Sequence, residues 1–236
     1  MLVLALDTAT PASTAALVEV TAGGLTGVAE RRTVDPRAHG EKLAPEIAAT
    51  LADAGVRPRD LAAIVAGLGP GPYTGLRVGL ATAASMGQAL GIPTYGVCSL
   101  DALGRAAGPG RVLIATDARR REVYFATYLD GVRVVGPDVA KPADVAAVIT
   151  GRPAPVGRDA ADVTALVDRA AGEGAVKYGE IFGVPVEEHL LYPPGAALVA
   201  LAAERIRAAA PGEPLTPLYL RRPDAAEPAA RKPVLT

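Results

Sequence analysis

Residues 67 to 79 read Gly-Leu-Gly-Pro-Gly-Pro-Tyr-Thr-Gly-Leu-Arg-Val-Gly. An apolar stretch, Leu61 to Ala66, leads into this run, and a helix-like stretch, Leu76 to Leu90, leads out. That is the layout of a strand, a glycine loop and a helix N-terminus, which in many α/β proteins holds a phosphate on free backbone N–H groups. This version departs from the known phosphate loops. No Lys-Ser or Lys-Thr pair follows the glycines, so it is not a Walker loop. The third residue after Gly71 is Thr74, which breaks the dinucleotide pattern G-x-G-x-x-G. Pro70 and Pro72 each lack the N–H that a phosphate cradle uses. The loop is shaped rather than loaded.

The rest of the chain arranges itself around this loop. Leu2 to Leu6, Ser13 to Val20 and Leu25 to Val34 read as strands, the last two joined at Gly23-Gly24. Leu43, Ile47 and Leu51 recur at helical spacing in a helix over 40–54, with Gly55 as its stop. After the loop helix, about 74–90, come a strand at Thr94 to Cys98 and a short helix at Ser99 to Ala107, with Ser99 as its N-cap. Then the beginning recurs. Leu2 to Asp7 is matched by Val112 to Asp117, and Thr14 to Val20 by Glu122 to Leu129. Helical patterns follow at 142–149, 159–169 and 196–210, and 221–236 reads as a mobile tail.

A duplicated unit with an aspartate at each first turn suggests an α/β, actin-like and sugar-kinase-like fold. It has two lobes, each a mixed sheet flanked by helices. The lobes are expected at 1–104 and 105–220, with the last helix packing back on the first lobe. Length permits this: 236 residues suit one large or two small domains. Half the residues are hydrophobic but only 4% are aromatic, so Ala, Val, Leu and Ile must build the cores.

Composition also excludes some chemistry. A net charge of −1 lacks the overall basic field of a protein that grips nucleic acid alone. One cysteine, Cys98, allows neither an internal disulfide nor a cysteine-based zinc cage. His39 and His189 lie far apart, and no His-Glu-x-x-His element exists. The apolar start is cut short by Asp7 with no basic region before it, and no stretch reaches a membrane-spanning length. A cytoplasmic protein without a membrane association is expected.

Several stretches together resemble one family. They are Leu4 to Thr10, His39 to Pro45, Gly69 to Arg77, Gly96 to Leu100, Asp117 to Tyr124 and Pro217 to Arg221. The chain is similar in these to the TsaB (YeaZ) family. The family supports formation of N6-threonylcarbamoyladenosine at the adenosine next to the anticodon of ANN-decoding tRNAs. The resemblance implies a non-catalytic subunit that binds the catalytic paralogue TsaD, with the ATPase TsaE joining. It implies a homodimer in the absence of TsaD, and tRNA reached only through the complex. TsaD carries a metal-ligating His-x-x-x-His pair just after the strand that follows the glycine-loop helix. Ser99 and Leu103 stand at that place here. Leucine cannot ligate a metal and a neutral serine hydroxyl is a poor substitute for imidazole, so neither a catalytic residue nor a metal is expected in this chain.

Other residues keep two readings. Asp7 and Asp117 either place a magnesium-bound nucleotide or cap tight turns through their own backbone, and the missing Lys and two loop prolines favour capping. On the first reading Asp7, Thr8, Gly69, Gly71 and Thr74 lie beside ATP or ADP at a partner interface, with no tightly bound cofactor. Gly75, Gly79, Ala83 and Gly87 form a small-residue stripe on the loop helix. Leu76, Leu80 and Leu90 are expected to face inward, leaving the stripe outward as a partner interface beside Ala44 and Ala48 of the preceding helix. Packing on the chain's own sheet is the alternative. Arg119, Arg120 and Arg121 are either a solvated tip or a contact to tRNA or a partner. His39 is expected as a solvated or capping residue, His189 as a surface residue and Cys98 as a buried inert thiol. The competing function is a small-molecule kinase or ATPase of the same fold, which needs a convincing phosphate loop in each lobe.

Overall fold

One strand order occurs twice. In a computed structural model describing residues 1–150 and 167–221, the first unit runs β1 (Leu2–Asp7), β2 (Ala12–Val20), β3 (Leu25–Val34), α1 (His39–Asp53), β4 (Leu61–Gly67), α2 (Tyr73–Leu90), β5 (Thr94–Val97) and α3 (Ser99–Ala106). The second runs β6 (Arg111–Asp117), β7 (Val123–Leu129), β8 (Val132–Ala140), α4 (Pro142–Ile149), β9 (Arg169–Ala171), α5 (Glu173–Phe182), β10 (Val186–Glu187) and α6 (Gly195–Arg207). The sheets are ordered β3-β2-β1-β4-β5 and β8-β7-β6-β9-β10. In each, the first three strands pair antiparallel and the last two join parallel.

Both central strands are buried on two faces, which is why they read as unbroken apolar runs. Leu4 and Leu6 of β1 pack with Leu43, Ile47 and Leu51 of α1 and with Leu76 and Leu80 of α2. Val3 and Ala5 face the other way, onto Leu198, Val199 and Ala202 of α6. In the second lobe Leu113 and Ala115 of β6 meet Val145 and Ile149 of α4 and Ala175 and Phe182 of α5. Val112 and Ile114 meet Leu100 and Leu103 of α3.

The lobes therefore exchange helices. α3 follows the first sheet but covers the second, and α6 follows the second but covers the first. Two glycines permit the close approach. A Cβ on Gly104 of α3 would lie 2.3 Å from Cδ1 of Tyr128, and one on Gly195 of α6 would lie 2.1 Å from Cβ of Ala16. Leu100, Leu103, Leu198 and Val199 are fully buried in these contacts, at roughly 1.5–3 kcal/mol of apolar transfer each. A lobe boundary at 104/105 cuts through α3, whose Leu100 and Leu103 belong to the second lobe's core while Ala102 faces the first.

Beyond α6, residues 208–221 run as a strap. Tyr95 donates its hydroxyl to the Ala210 carbonyl at 2.6 Å, the Glu213 N–H bonds the Thr94 carbonyl and the Leu218 N–H bonds the Leu68 carbonyl. The strap ends on the second lobe, where Arg221 donates to the Ala118 carbonyl at 2.9 Å and pairs with Glu122.

Some sequence expectations change. α5 and β10 were not anticipated, and β8 is the third strand that duplication of the first unit implies, without a local signal to give its bounds. For the helix expected over 159–169, residues 159–166 lie outside the described residues, and Arg169 opens β9 instead. Of the expected tail, 222–236 lies outside the described residues, while Arg221 is bonded as above. Ser99 is not an N-cap: Cys98 takes that position, and the Ser99 side chain points elsewhere.

Candidate functional site

The glycine loop is tied to the end of β1 by its own polar groups. Asp7 is 1% exposed. Its Oδ1 accepts the Ala9 N–H at 3.0 Å and its Oδ2 accepts the Ser99 hydroxyl at 2.5 Å. The Ser99 Oγ in turn accepts the Gly69 N–H at 3.2 Å, and the Ser99 N–H bonds the Gly69 carbonyl. Thr8 donates its hydroxyl to the Gly75 carbonyl at 2.8 Å and accepts the Gly79 N–H at 3.1 Å. The loop lies on the β1–β2 turn so closely that a Cβ on Gly71 would be 2.2 Å from the Ala9 carbonyl oxygen. Asp7, Thr8, Gly69 and Gly71 are thus brought together, Asp7 and Gly69 through the Ser99 hydroxyl and Thr8 through the Gly75 carbonyl and Gly79 N–H. Thr74 is exposed instead. Burial outweighs these bonds at Asp7 and pushes its carboxyl up to about 6.

The two strand-end aspartates are not equivalent. Alternation puts Asp7 on the Val3 and Ala5 side of its sheet and Asp117 on the Leu113 and Ala115 side, facing α5. Asp117 accepts from Lys177 of α5 at 3.0 Å, and its N–H bonds Glu173 Oε1 at 2.9 Å. Burial pushes the Glu173 carboxyl up to about 7. A shift of one residue between repeats reverses every side chain, so the matching Leu-to-Asp strings conceal opposite faces.

The small-residue stripe faces inward, which corrects the outward reading of Gly75, Gly79, Ala83 and Gly87. All four are buried. A Cβ on Gly75 would lie 2.9 Å from His39, one on Gly79 2.4 Å from Thr8 Oγ1 and one on Gly87 2.5 Å from Thr94. The inward face of α2 is wide enough to hold both this stripe and Leu76 and Leu80. Small residues there let α2 settle over β4 and its neighbours β1 and β5. The outward face of α2 carries Thr74, Arg77, Ala81 and Ser85, and Ala44 and Ala48 are exposed on α1.

His39 is not solvated. It is 7% exposed, its Nδ1 is 2.8 Å from Ser13 Oγ, and burial lowers its pKa. Ser99 is 1% exposed and Leu103 is fully buried. The metal implied by kinship to TsaD does not fit these two residues, since one hydroxyl is committed to Asp7 and the other side chain has no donor. Among the described residues no group of three or more His, Cys, Asp or Glu is placed to hold a metal ion. Cys98 is buried with its thiol pushed up to about 11, and His189 is exposed.

Between the lobes lies a cavity of about 520 Å³, lined by Arg37, His39, Tyr73 and Thr74 from one side and by Asp117 and Arg119 from the other. Arg119, Arg120 and Arg121 form the β6–β7 tip, all exposed. Their φ angles are 60°, 51° and 61°, a left-handed backbone that costs residues with a Cβ roughly 1–2 kcal/mol each. Near the cavity mouth Tyr73 stacks on Tyr219 with ring centroids 5.2 Å apart. Arg77 lies 4.0 Å above the Tyr73 ring and donates Nε to the Tyr219 hydroxyl at 3.0 Å. Nothing in the sequence linked position 73 to position 219, nor Ser13 to His39. Such pairs arise only when the fold closes.

Comparison with known proteins places the chain among relatives. The family model for TsaD, tRNA N6-adenosine threonylcarbamoyltransferase, matches residues 33–216. An uncharacterized protein of Mycobacterium tuberculosis is 49% identical over 94% of this chain and 93% of its own length. The tRNA threonylcarbamoyladenosine biosynthesis protein TsaB of Escherichia coli is 36% identical over 54% of this chain and 55% of its own length. Among solved structures, YeaZ from Pseudomonas aeruginosa is 29% identical with a TM-score of 0.69, covering 93% of this chain and 100% of that one. A second Pseudomonas aeruginosa structure, described as similar to peptidase YeaZ, is 31% identical with a TM-score of 0.70, over 93% of this chain and 99% of its own. The Acidaminococcus fermentans (R)-2-hydroxyglutaryl-CoA dehydratase component A shares the fold at a TM-score of 0.51 and 12% identity, over 88% of this chain and 99% of its own.

Proposed function

The chain belongs to the TsaB (YeaZ) family, and on that premise we propose that it serves threonylcarbamoyladenosine formation in tRNA as a non-catalytic subunit. It binds and supports the paralogue TsaD, which performs the transfer, and TsaE joins the complex. The observation that carries the non-catalytic role is the fate of Ser99 and Leu103. At the place where the paralogue's histidines would stand, one side chain holds the glycine loop to Asp7 and the other is core. Neither can receive a substrate without dismantling the fold.

The docking surface is the outward face of α1 and α2. Ala44 and Ala48 on α1, with Ala81 and Ser85 on α2, are exposed and small, so two further helices can approach closely and pack by van der Waals contact. TsaD occupies this face in the complex, and a second copy of the chain occupies it otherwise. Any ATP or ADP with magnesium belongs at such an interface, with Thr74 the one loop candidate open to it. The test is reconstitution: purified TsaD, TsaE and the adenylate-forming enzyme, with tRNA, ATP, threonine and bicarbonate, scored with and without this chain.

A further inference from the structure

Two features meet on one face, at the N-terminal end of α2 and continuous with the outward face of that helix. One is the arginine tip between β6 and β7. The other is the stacked pair Tyr73 and Tyr219, 46% and 39% exposed, with Arg77 over the Tyr73 ring. They are contiguous. Tyr73, Arg37 and Arg119 line the same cavity. The strap that carries Tyr219 bonds the Ala118 carbonyl two residues later, through Arg221. The carboxylates flanking the tip are already paired, Asp117 with Lys177 and Glu122 with Arg221. The face is therefore locally cationic although the whole chain carries a net charge of −1.

Resting on the subunit reading above, we propose that this face contacts single-stranded RNA in a hairpin loop. Unpaired bases stack on the exposed rings of Tyr73 and Tyr219, and Arg37, Arg119 and Arg121 hold the phosphates. Stacking on aromatic rings is the means by which proteins read unpaired RNA bases, and arginine suits phosphate geometry. At the left-handed tip Arg119 and Arg121 are both exposed, open to phosphate oxygens.

The test uses the full chain and a fluorescent, unmodified anticodon-arm RNA hairpin, titrated by anisotropy at several salt concentrations. Tyr73→Leu, Tyr219→Leu and the double variant Arg119→Glu with Arg121→Glu are compared, each first checked for a native thermal melt. Saturable binding that weakens with salt is expected, with each leucine variant about 5- to 100-fold weaker and the glutamate variant weaker still. A perfect duplex of the same length should bind less well. Absent binding, equal binding to duplex, or variants that bind RNA normally but lose TsaD would each overturn the proposal, the last marking a protein contact. If the chain binds RNA while tRNA modification proceeds without it, this surface stands and the subunit reading falls. If modification needs the chain but no RNA binds, the reverse holds.

Discussion

Ser99 Oγ lies 2.5 Å from Asp7 Oδ2 and receives the Gly69 N–H at 3.2 Å. Through these two bonds the start of α3, a helix that covers the second lobe, is fastened to the end of β1 and the glycine loop of the first. The glycine-loop backbone and the Asp7 carboxylate are thus linked through one hydroxyl, and burial is the dominant influence on the acid.

That burial predicts a pH dependence. The Asp7 carboxyl is pushed from an ordinary 3.8 up to about 6. Between those values the folded state keeps a proton that the unfolded chain releases, so this contribution is full below the unfolded pKa and is lost as pH rises through about 6. The shift corresponds to about 3 kcal/mol. Glu173, pushed from 4.5 up to about 7, acts in the same direction. Asp7→Asn should flatten the stability difference between pH 4 and 6 in urea titrations and leave the protein at least as stable at pH 7. An unchanged slope would mean that Asp7 titrates normally.

The inward stripe separates two classes of variant. A Cβ on Gly79 would meet Thr8 Oγ1 at 2.4 Å, so Gly79→Ala should cost roughly 1–3 kcal/mol despite alanine's better helix propensity. Thr8→Ala removes the obstacle. The double variant should be less destabilised than the sum of the singles, with a coupling of about 0.5–3 kcal/mol. Strict additivity in denaturation midpoints would contradict the contact.

Outward positions should behave oppositely. Ala48→Arg and Ala81→Arg are expected to change stability by no more than about 0.5 kcal/mol yet weaken association with TsaD and with a second copy. Sedimentation of the chain alone and with TsaD checks this. A variant that unfolds, or one that associates as before, would move the docking surface elsewhere.

The exchanged helix offers a fourth check. Tyr128 donates its hydroxyl to Asp101 Oδ1 at 2.8 Å while its ring lies under Gly104. Tyr128→Phe should cost about 1 kcal/mol. Gly104→Ala should cost more, roughly 1–3 kcal/mol, because a Cβ there would displace α3 from the second sheet. A neutral Gly104→Ala in thermal melts would show that α3 is loosely held.

Sequence reasoning reached the duplicated actin-like architecture because buried strands and a glycine loop leave strong local marks. Leu2 to Asp7 and Val112 to Asp117 are apolar through burial on both faces, and α2 announces itself by the glycine loop before it and the helix-like stretch from Leu76 to Leu90. β8 left no such mark, since Val132 and Val134 stay exposed and its residues do not alternate. α5 was hidden by Gly174 and Gly179 inside a helix that is kinked at Tyr178. The site was less legible than the fold. The direction of the α2 stripe depended on what lay beneath it, and Thr8 and His39 are remote in sequence. Ser99 resembled an N-cap because serine commonly is one. Its actual partner is an aspartate at the far end of the first strand.

The most direct measurement is the count of threonylcarbamoyladenosine, by mass spectrometry of tRNA, in the reconstituted reaction with and without this chain. Modification that depends on the chain, and that persists in a variant carrying Asp7→Asn, is the expected result for a supporting subunit. Modification that proceeds equally well without the chain would contradict it.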